Sequence, residues 1–417
     1  MTETVAGAYA SPGKAPDVAL QNNQPVKVDI ALKVPDDEPY SQPYWMRHPP
    51  TKGMYIVDDQ RLIGRPENPP PLSVSVGIGT SPMQTIVFNL PVVYRWVDAV
   101  RGEQVRTVDV VPPVTANLDE AVYLFPDAKA KTIGVKVRGK GDVALEVPQG
   151  WRAANLTVTP PAGESTGTLR AVVGGHVAQQ VYEINYPHIP AQRVFSDAAA
   201  KLVHINLKRA GQHIGYIMGS GDDVDDFLRQ SGYDVTLLSD DDLNAGDFAR
   251  FDAIVAGVRA YNTRAEMKTA HAKLMKYVEN GGTYVVQYNS LSPQPLLVDP
   301  PGPYPFKVAN ERVTVEEAPV RMLDPASPLL TTPNKITEAD FNGWVQERGL
   351  YFTRDWDPRY KTVLESHDPG EPEHPGGELY TRYGKGVFIY TSYAWFRQLP
   401  AGVQGAYRLF VNLVSAR

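Results

Sequence analysis

Four loops hold the side chains best suited to chemistry, and each follows an apolar run that reads as a strand. GSGDD ends in Asp222 and Asp223; GVRAYNTR offers Arg259, Tyr261, Asn262 and Arg264. QYNS supplies Gln287 and Asn289, and TSYAWFRQ supplies Tyr393, Trp395, Arg397 and Gln398. Aromatic faces beside amides and guanidinium groups suit a carbohydrate or a carboxylate, because sugar C–H faces stack on rings and hydroxyls need planar donors and acceptors. The same residues have a structural reading, in which Arg259, Tyr261 and Asn262 cap the next helix and tie loops together.

Other constellations carry less. GSGDD looks like a phosphate cradle, but its two aspartates would repel an anion, and there is neither a Walker lysine nor a complete GxGxxG. HDPGEPEH places His367, Asp368, Glu371 and His374 close in sequence, ligand types that suit zinc. Its prolines and glycines read as a solvated turn, so no metal site is assigned. In FNGWVQERGLYF, Trp344, Gln346, Glu347 and Arg348 read as core packing with an internal ion pair. No serine stands in G-x-S-x-G and no H-E-x-x-H occurs, so no catalytic residue is assigned and no cofactor is expected.

The elements that must position these loops lie between Gly211 and Ser290. HIGYIMG, YDVTLLS, FDAIVAG and TYVVQYN read as near-continuous apolar strands. Acidic residues open a helix at 222–232 and Gly232 stops it. Thr263 is the expected cap of a second helix running to Glu279, with Met267, Ala270, Leu274 and Val278 on one face. GKGVFIY supplies a last strand and GAYRLFVNLVSA a closing helix. Strands alternating with helices predict a doubly wound, mostly parallel α/β sheet over 203–417, with any ligand outside the carboxyl ends of the strands.

Upstream the character is all-β: short β-branched runs such as VKVDIALKV (Val26–Val34), TIVFNLPVVYRWV, KTIGVKVRG and GTLRAVV, broken by Pro and Gly. Val135 and Val137 against Lys136 and Arg138 predict a half-buried strand. The prolines of RPENPPP mark a boundary. The expected organisation is a disordered lead at 1–24, a small or incomplete β module at 25–71, a β-sandwich at 72–186, a linker at 187–202 and the α/β domain at 203–417.

A chain of 417 residues has material for two or three cores. Its net charge of −6 leaves no basic excess for a phosphate backbone or an anionic membrane, so nucleic acid is not an expected partner. No run of apolar residues is long enough for membrane insertion. The N-terminus lacks a basic start and an apolar run, so no signal peptide is read and the chain as written is cytoplasmic. There is no cysteine, hence no disulfide, thiolate zinc site or cysteine nucleophile.

Several long runs carry a family resemblance. IGYIMGSGDDVDDFLRQSGYDVTLLSDDDL, RFDAIVAGVRAYNTR, YVENGGTYVVQYN, DFNGWVQERGLYF and YGKGVFIYTSYAWFRQLPAGVQGAYRLFVNL resemble the C-terminal region of large bacterial PIG-L/LmbE-type deacetylases, and YSQPYW, GRPENPPP and VRGEQVR resemble the part before it. The resemblance implies β-sandwich modules followed by a domain similar to class I glutamine amidotransferases (flavodoxin-like) and ThuA-like proteins, in relatives that are exported. It also implies an upstream zinc-dependent N-acetyl-sugar deacetylase, but this chain lacks the His-Pro-Asp-Asp motif: His48-Pro49-Pro50 and His367-Asp368-Pro369 have no paired aspartates. Amidotransferase chemistry needs a cysteine at the elbow after a strand, which is absent too.

Two functional readings follow. One is a non-catalytic accessory protein whose strand-end pocket binds a glycan or amino sugar, or a separate deacetylase chain. The other is a deacetylase- or amidase-type hydrolase of a glycan, working through Asp222, Asp223, Arg259 and Asn262, with His367 as a further group.

Overall fold

The computed structural model describes residues 2–4, 18–29, 34, 37–81 and 84–417. The chain divides into two compact units: residues 1–119, 135–144 and 170–198 make one, and 120–134, 145–169 and 199–417 the other.

The second unit is built on a seven-stranded mixed sheet. In chain order its elements are β1 (His213–Ile217), α1 (Val224–Gln230), β2 (Asp234–Leu237), α2 (Asp240–Ala245), β3 (Ala253–Ala256), α3 (Ala260–Thr263), α4 (Met267–Glu279) and β4 (Thr283–Gln287). After a long irregular excursion come β5 (Lys361–Thr362), β6 (Glu378–Tyr383), β7 (Gly386–Thr391), α5 (Trp395–Gln398) and α6 (Gln404–Ser415). The strand order is β2-β1-β3-β4-β7-β6-β5. The first five run parallel; β6 is antiparallel to β7, and β5 to β6.

Burial on both faces explains why these strands are apolar throughout. Ala253 and Val255 of β3 point into the core that holds α1 and α6, while Ile254 and Ala256 point into the core that holds α4. Met267, Ala270, Leu274 and Val278 are fully buried, so the predicted face of α4 packs on the sheet. The predicted start of that helix is corrected: Thr263 ends α3, its hydroxyl donating to the Arg259 carbonyl at 3.1 Å, and α4 begins only after Glu266. Helix α2 was not anticipated. Ser239 and Asp242 form a reciprocal capping box at its start and Gly246 closes it in the left-handed conformation, so six residues suffice for a helix.

The first unit holds a four-stranded sheet in the order Gln192–Asp197, Gln179–Ile184, Thr115–Leu118, Val135–Arg138. It also has two antiparallel pairs, Ser73–Ser81 with Gln84–Pro91 and Val93–Asp98 with Gly102–Thr107. Several expectations change here. From 25 to 71 the described residues form no strand, only the isolated Thr51–Met54 bridge and the short 3-10 turns Tyr44–Met46 and Gln60–Leu62. Residues 26–29 have no regular structure and 30–33 lie outside the described residues, so the strand read at Val26–Val34 is not found in its described part. Within 1–24, Thr2–Thr4 pairs with Ser75–Gly77, and 5–17 lie outside the described residues. The segment read as a linker, 187–202, is largely strand: Gln192–Asp197 pairs with Gln179–Ile184 in this unit, and Ala199–His204, in the second unit, lies parallel to Val122–Phe125. Val137 is exposed, so alternation at Val135–Arg138 does not mark a buried face. Among the described residues no helix is long and apolar enough to cross a membrane.

Candidate functional site: a cleft at the ends of β3 and β4

In an open sheet whose parallel strands run 2-1-3-4-5, the crevice for a ligand is expected where the order reverses, between β1 and β3. Here that crevice is filled. Asp222, in the loop after β1, accepts hydrogen bonds from the Tyr216 hydroxyl, from Val224 N at 3.1 Å and from Val258 N at 3.0 Å. Ser220 N donates to the Val258 carbonyl at 2.9 Å. The loops approach so closely that a Cβ at Gly219 would collide with the backbone of Val258 and Ala260, and one at Gly257 would meet the Asp222 carboxylate at 2.9 Å. Burial lifts the Asp222 carboxyl above its ordinary range against the pull of those donors. Asp222 is therefore a clasp between loops. Its neighbour Asp223 is exposed at the start of α1 and makes no capping bond.

Three more sequence candidates build the walls. Asn262 is buried; its amide donates to the carbonyls of Ser290 and Gln294, both at 2.9 Å, and accepts from Ser290 N at 2.9 Å. Asn289, fully buried, accepts from Tyr261 N and donates to the Gln287 carbonyl, both at 3.0 Å. The Tyr261 hydroxyl lies 3.0 Å from His271 Nδ1 and accepts from Tyr284 at 3.1 Å, inside the α4-side core. These residues hold the loops after β3 and β4 together.

The space those loops enclose is a cleft of 520 Å³. Arg259, at the turn from β3 into α3, reaches it from a left-handed backbone conformation, φ 60° and ψ 24°. Such a conformation is costly for a residue with a Cβ and persists only where the surroundings impose it. Here the Arg259 N–H donates to the Tyr288 carbonyl at 2.9 Å, and its carbonyl accepts from Asn262 N and Thr263 N. The guanidinium has no such engagement: Nε is buried without a partner among the described residues. Opposite lie Tyr288 and Tyr351, ring planes 13° apart and centroids 5.9 Å apart. Burial raises the Tyr288 hydroxyl above its usual pKa, against the charges of Arg259 and Arg397. Ser290, 2% exposed, lines the cleft with an unpartnered Oγ, and Ser292, Asn310, Arg312 and Leu350 complete it.

A second cleft of 440 Å³ adjoins through Asn310 and Arg312 and is lined further by Glu311, Arg354, Glu371 and His374. One carboxylate oxygen of Glu311 is buried without a partner while the other stands 3.7 Å from Arg354. His374 lies 3.9 Å from Glu371.

The remaining candidates lie elsewhere. Arg397 spans the Phe396 ring, which packs on Tyr288, and pairs with Glu347 and Gln346. The ion pair of the FNGWVQERGLYF segment is thus Glu347 with Arg397, whereas Arg348 donates to the carbonyls of Ala318 and Phe341 and lies over Trp344. Tyr393 and Trp395 are core residues, 1% and 0% exposed; both pack edge-on against Trp344, Tyr393 also edge-on against Phe352, and Trp395 lies tilted to Phe410. Gln287 bonds the Tyr216 hydroxyl, Gln398 the backbone of Val345 and Glu347, and Arg264 the Met218 carbonyl and Asp240. His367, Asp368, Glu371 and His374 do not converge. Asp368 is taken up by Thr314 and Val315 and His367 by Glu365, and no trio of metal-ligating side chains is found among the described residues.

Of the twelve strand-end residues named from the sequence, Arg259 alone lines the larger cleft. Tyr288 and Ser290 sit in the QYNS loop that was chosen, one residue to either side of Asn289. Asn310, Arg312 and Tyr351 come from the aperiodic excursion, where no pattern in the sequence pointed to a shared wall.

No protein-family model and no curated protein matches the chain. Among solved structures it is similar to a protein described as a GMP synthase subunit from Thermoplasma acidophilum, at 11% identity and TM-score 0.32, over 50% of this chain and 94% of that one. It is similar to a ThuA-like protein from Bacteroides uniformis, at 14% identity and TM-score 0.30, over 50% and 92%. A β-galactosidase from Rahnella sp. R3 matches at 16% identity and TM-score 0.31, over 48% of this chain and 31% of that one.

Proposed function

We propose that the protein is a non-catalytic carbohydrate-binding or accessory protein, related to the C-terminal part of PIG-L/LmbE-type deacetylases, with a degenerate amidotransferase-like pocket at the strand ends of 203–417. The observation that carries this reading is Arg259: a non-glycine residue in the left-handed conformation, its Nε without a partner among the described residues, lining a cleft with two stacked tyrosines. Strained backbone kept at a pocket is characteristic of sites that hold a ligand. Tyrosine faces, serine hydroxyls and an asparagine amide are the groups a sugar needs. No nucleophile is paired with a base in that lining, and the elbow chemistry of amidotransferases has no cysteine to work with. A glycan or amino sugar is the ligand, and a separate deacetylase chain the partner this reading implies.

A hydrolase acting on a glycan is the second reading, and the adjoining cleft favours it: Glu311 has an unpartnered buried oxygen there, beside Glu371 and His374. Asp222 and Asn262 do not serve it, since their polar atoms are engaged with neighbouring loops. Calorimetric titration with amino sugars, chitin oligomers and peptidoglycan fragments, with acetate and ammonia followed in the same samples with and without zinc, separates the two. Saturable binding without release is expected; release of either product overturns the non-catalytic reading.

A further inference from the structure

We infer that the sugar bound in the larger cleft carries a carboxylate, seated between Arg259 and Arg312. The inference rests on the carbohydrate-binding reading above and specifies its ligand. In a chain of net charge −6, this cleft is lined by two guanidinium groups and no carboxylate. Arg259 is partly buried, and its Nε is buried without a partner among the described residues; a desolvated guanidinium N–H left so is costly unless an acceptor completes it. Arginine presents a planar fork that matches a carboxylate in a bidentate pair.

A second observation is independent of charge. Ser290 is 2% exposed, lines the same cleft, and leaves its Oγ without a partner among the described residues. A buried hydroxyl costs stability when unbonded, so Ser290 is placed to complete its bonding with a ligand oxygen. The Tyr288 and Tyr351 rings offer an apolar wall on which the C–H face of the same pyranose can lie. Arg312 is exposed and lies at the seam with the second cleft, and Asp368 near it is already held by Thr314 and Val315. Because Asn310 and Arg312 line both clefts, a neutral neighbouring unit of the same glycan can continue into the smaller one.

Two matched pairs test this by calorimetry on the full chain: N-acetylmuramate against N-acetylglucosamine, which differ by a lactyl carboxylate, and trigalacturonate against its methyl ester. The acidic member of at least one pair is expected to bind about tenfold or more tightly than its neutral partner, with the margin shrinking as salt rises. Arg312→Gln, at an exposed position, is expected to remove about tenfold of that affinity while leaving the melting temperature unchanged. Arg259→Gln is expected to remove at least as much. Equal binding of acidic and neutral members overturns the carboxylate and leaves the carbohydrate reading standing. Binding of plain lactate as tight as that of N-acetylmuramate overturns the sugar and with it the proposal. Binding of neither pair overturns both readings.

Discussion

The rings of Tyr288 and Tyr351 lie almost parallel, 13° between planes, although one follows β4 and the other belongs to the irregular segment more than sixty residues later. That stack fixes one wall of the cleft and couples the excursion to the sheet. Replacing Tyr351 by alanine removes a half-buried ring and the partner of Tyr288. Stability should fall by about 0.5–1.5 kcal/mol, the usual worth of an aromatic pair, and ligand affinity should fall too because one wall of the cleft is lost. Parallel calorimetry and thermal unfolding check both halves.

Asn262→Ala should act on ligand binding only through stability. Three hydrogen bonds to Ser290 and Gln294 are lost and buried backbone groups are left unsatisfied, at a cost of about 2–4 kcal/mol. Denaturant unfolding should show that loss, and ligand binding should weaken with it because the Ser290 loop is released. Asn262 is therefore unsuitable as a probe of ligand contact.

Arg259→Gly should separate stability from binding. Glycine accepts φ 60° without the Cβ penalty of roughly 1 kcal/mol, so the variant should unfold at a higher temperature while losing affinity for the ligand. A lower melting temperature with affinity retained would contradict the role given to the side chain.

Glu378 gives a pH signature. It is 1% exposed, one oxygen has no partner among the described residues, and burial pushes its pKa from 4.5 up to about 8. Between those values the unfolded chain releases the proton while the folded chain keeps it, so this group's contribution to stability falls as pH rises from 4.5 to 8, by at most about 1.4 kcal/mol per pH unit. Glu378→Gln should flatten that part of the profile and be the more stable protein at pH 8. Melting temperatures of both proteins between pH 5 and pH 8 give the difference directly.

The α/β part was legible because its strands are buried on both faces, which writes them as continuous apolar runs, and because α4 places an apolar residue at each turn. Asp222, Asn262 and Asn289 are pocket candidates in the sequence and loop ties in the structure, the tie being the second reading given for Asn262, while Tyr393 is a core ring. A polar side chain at a strand end looks the same in sequence whether it faces a ligand or clasps a neighbouring loop, and only partners such as Val258 N or Ser290 N distinguish the two. Arg312 and Tyr351 were invisible because an aperiodic segment gives no clue to which wall it joins. In the first unit TIVFNLP reads as a strand and lies in one, yet Ile86, Val87, Phe88 and Leu90 are all exposed, as is Val137 in the alternating run Val135–Arg138. Period-two patterning records the possibility of a buried face, not its occupation.

The backbone at Arg259 also sets a direction for sequence drift. Each substitution there to glycine is favoured by folding alone, so the arginine persists only under selection for what its side chain does. Among homologous chains, residue 259 becomes a reporter: arginine where the cleft is still in use, glycine or asparagine where its ligand has been abandoned.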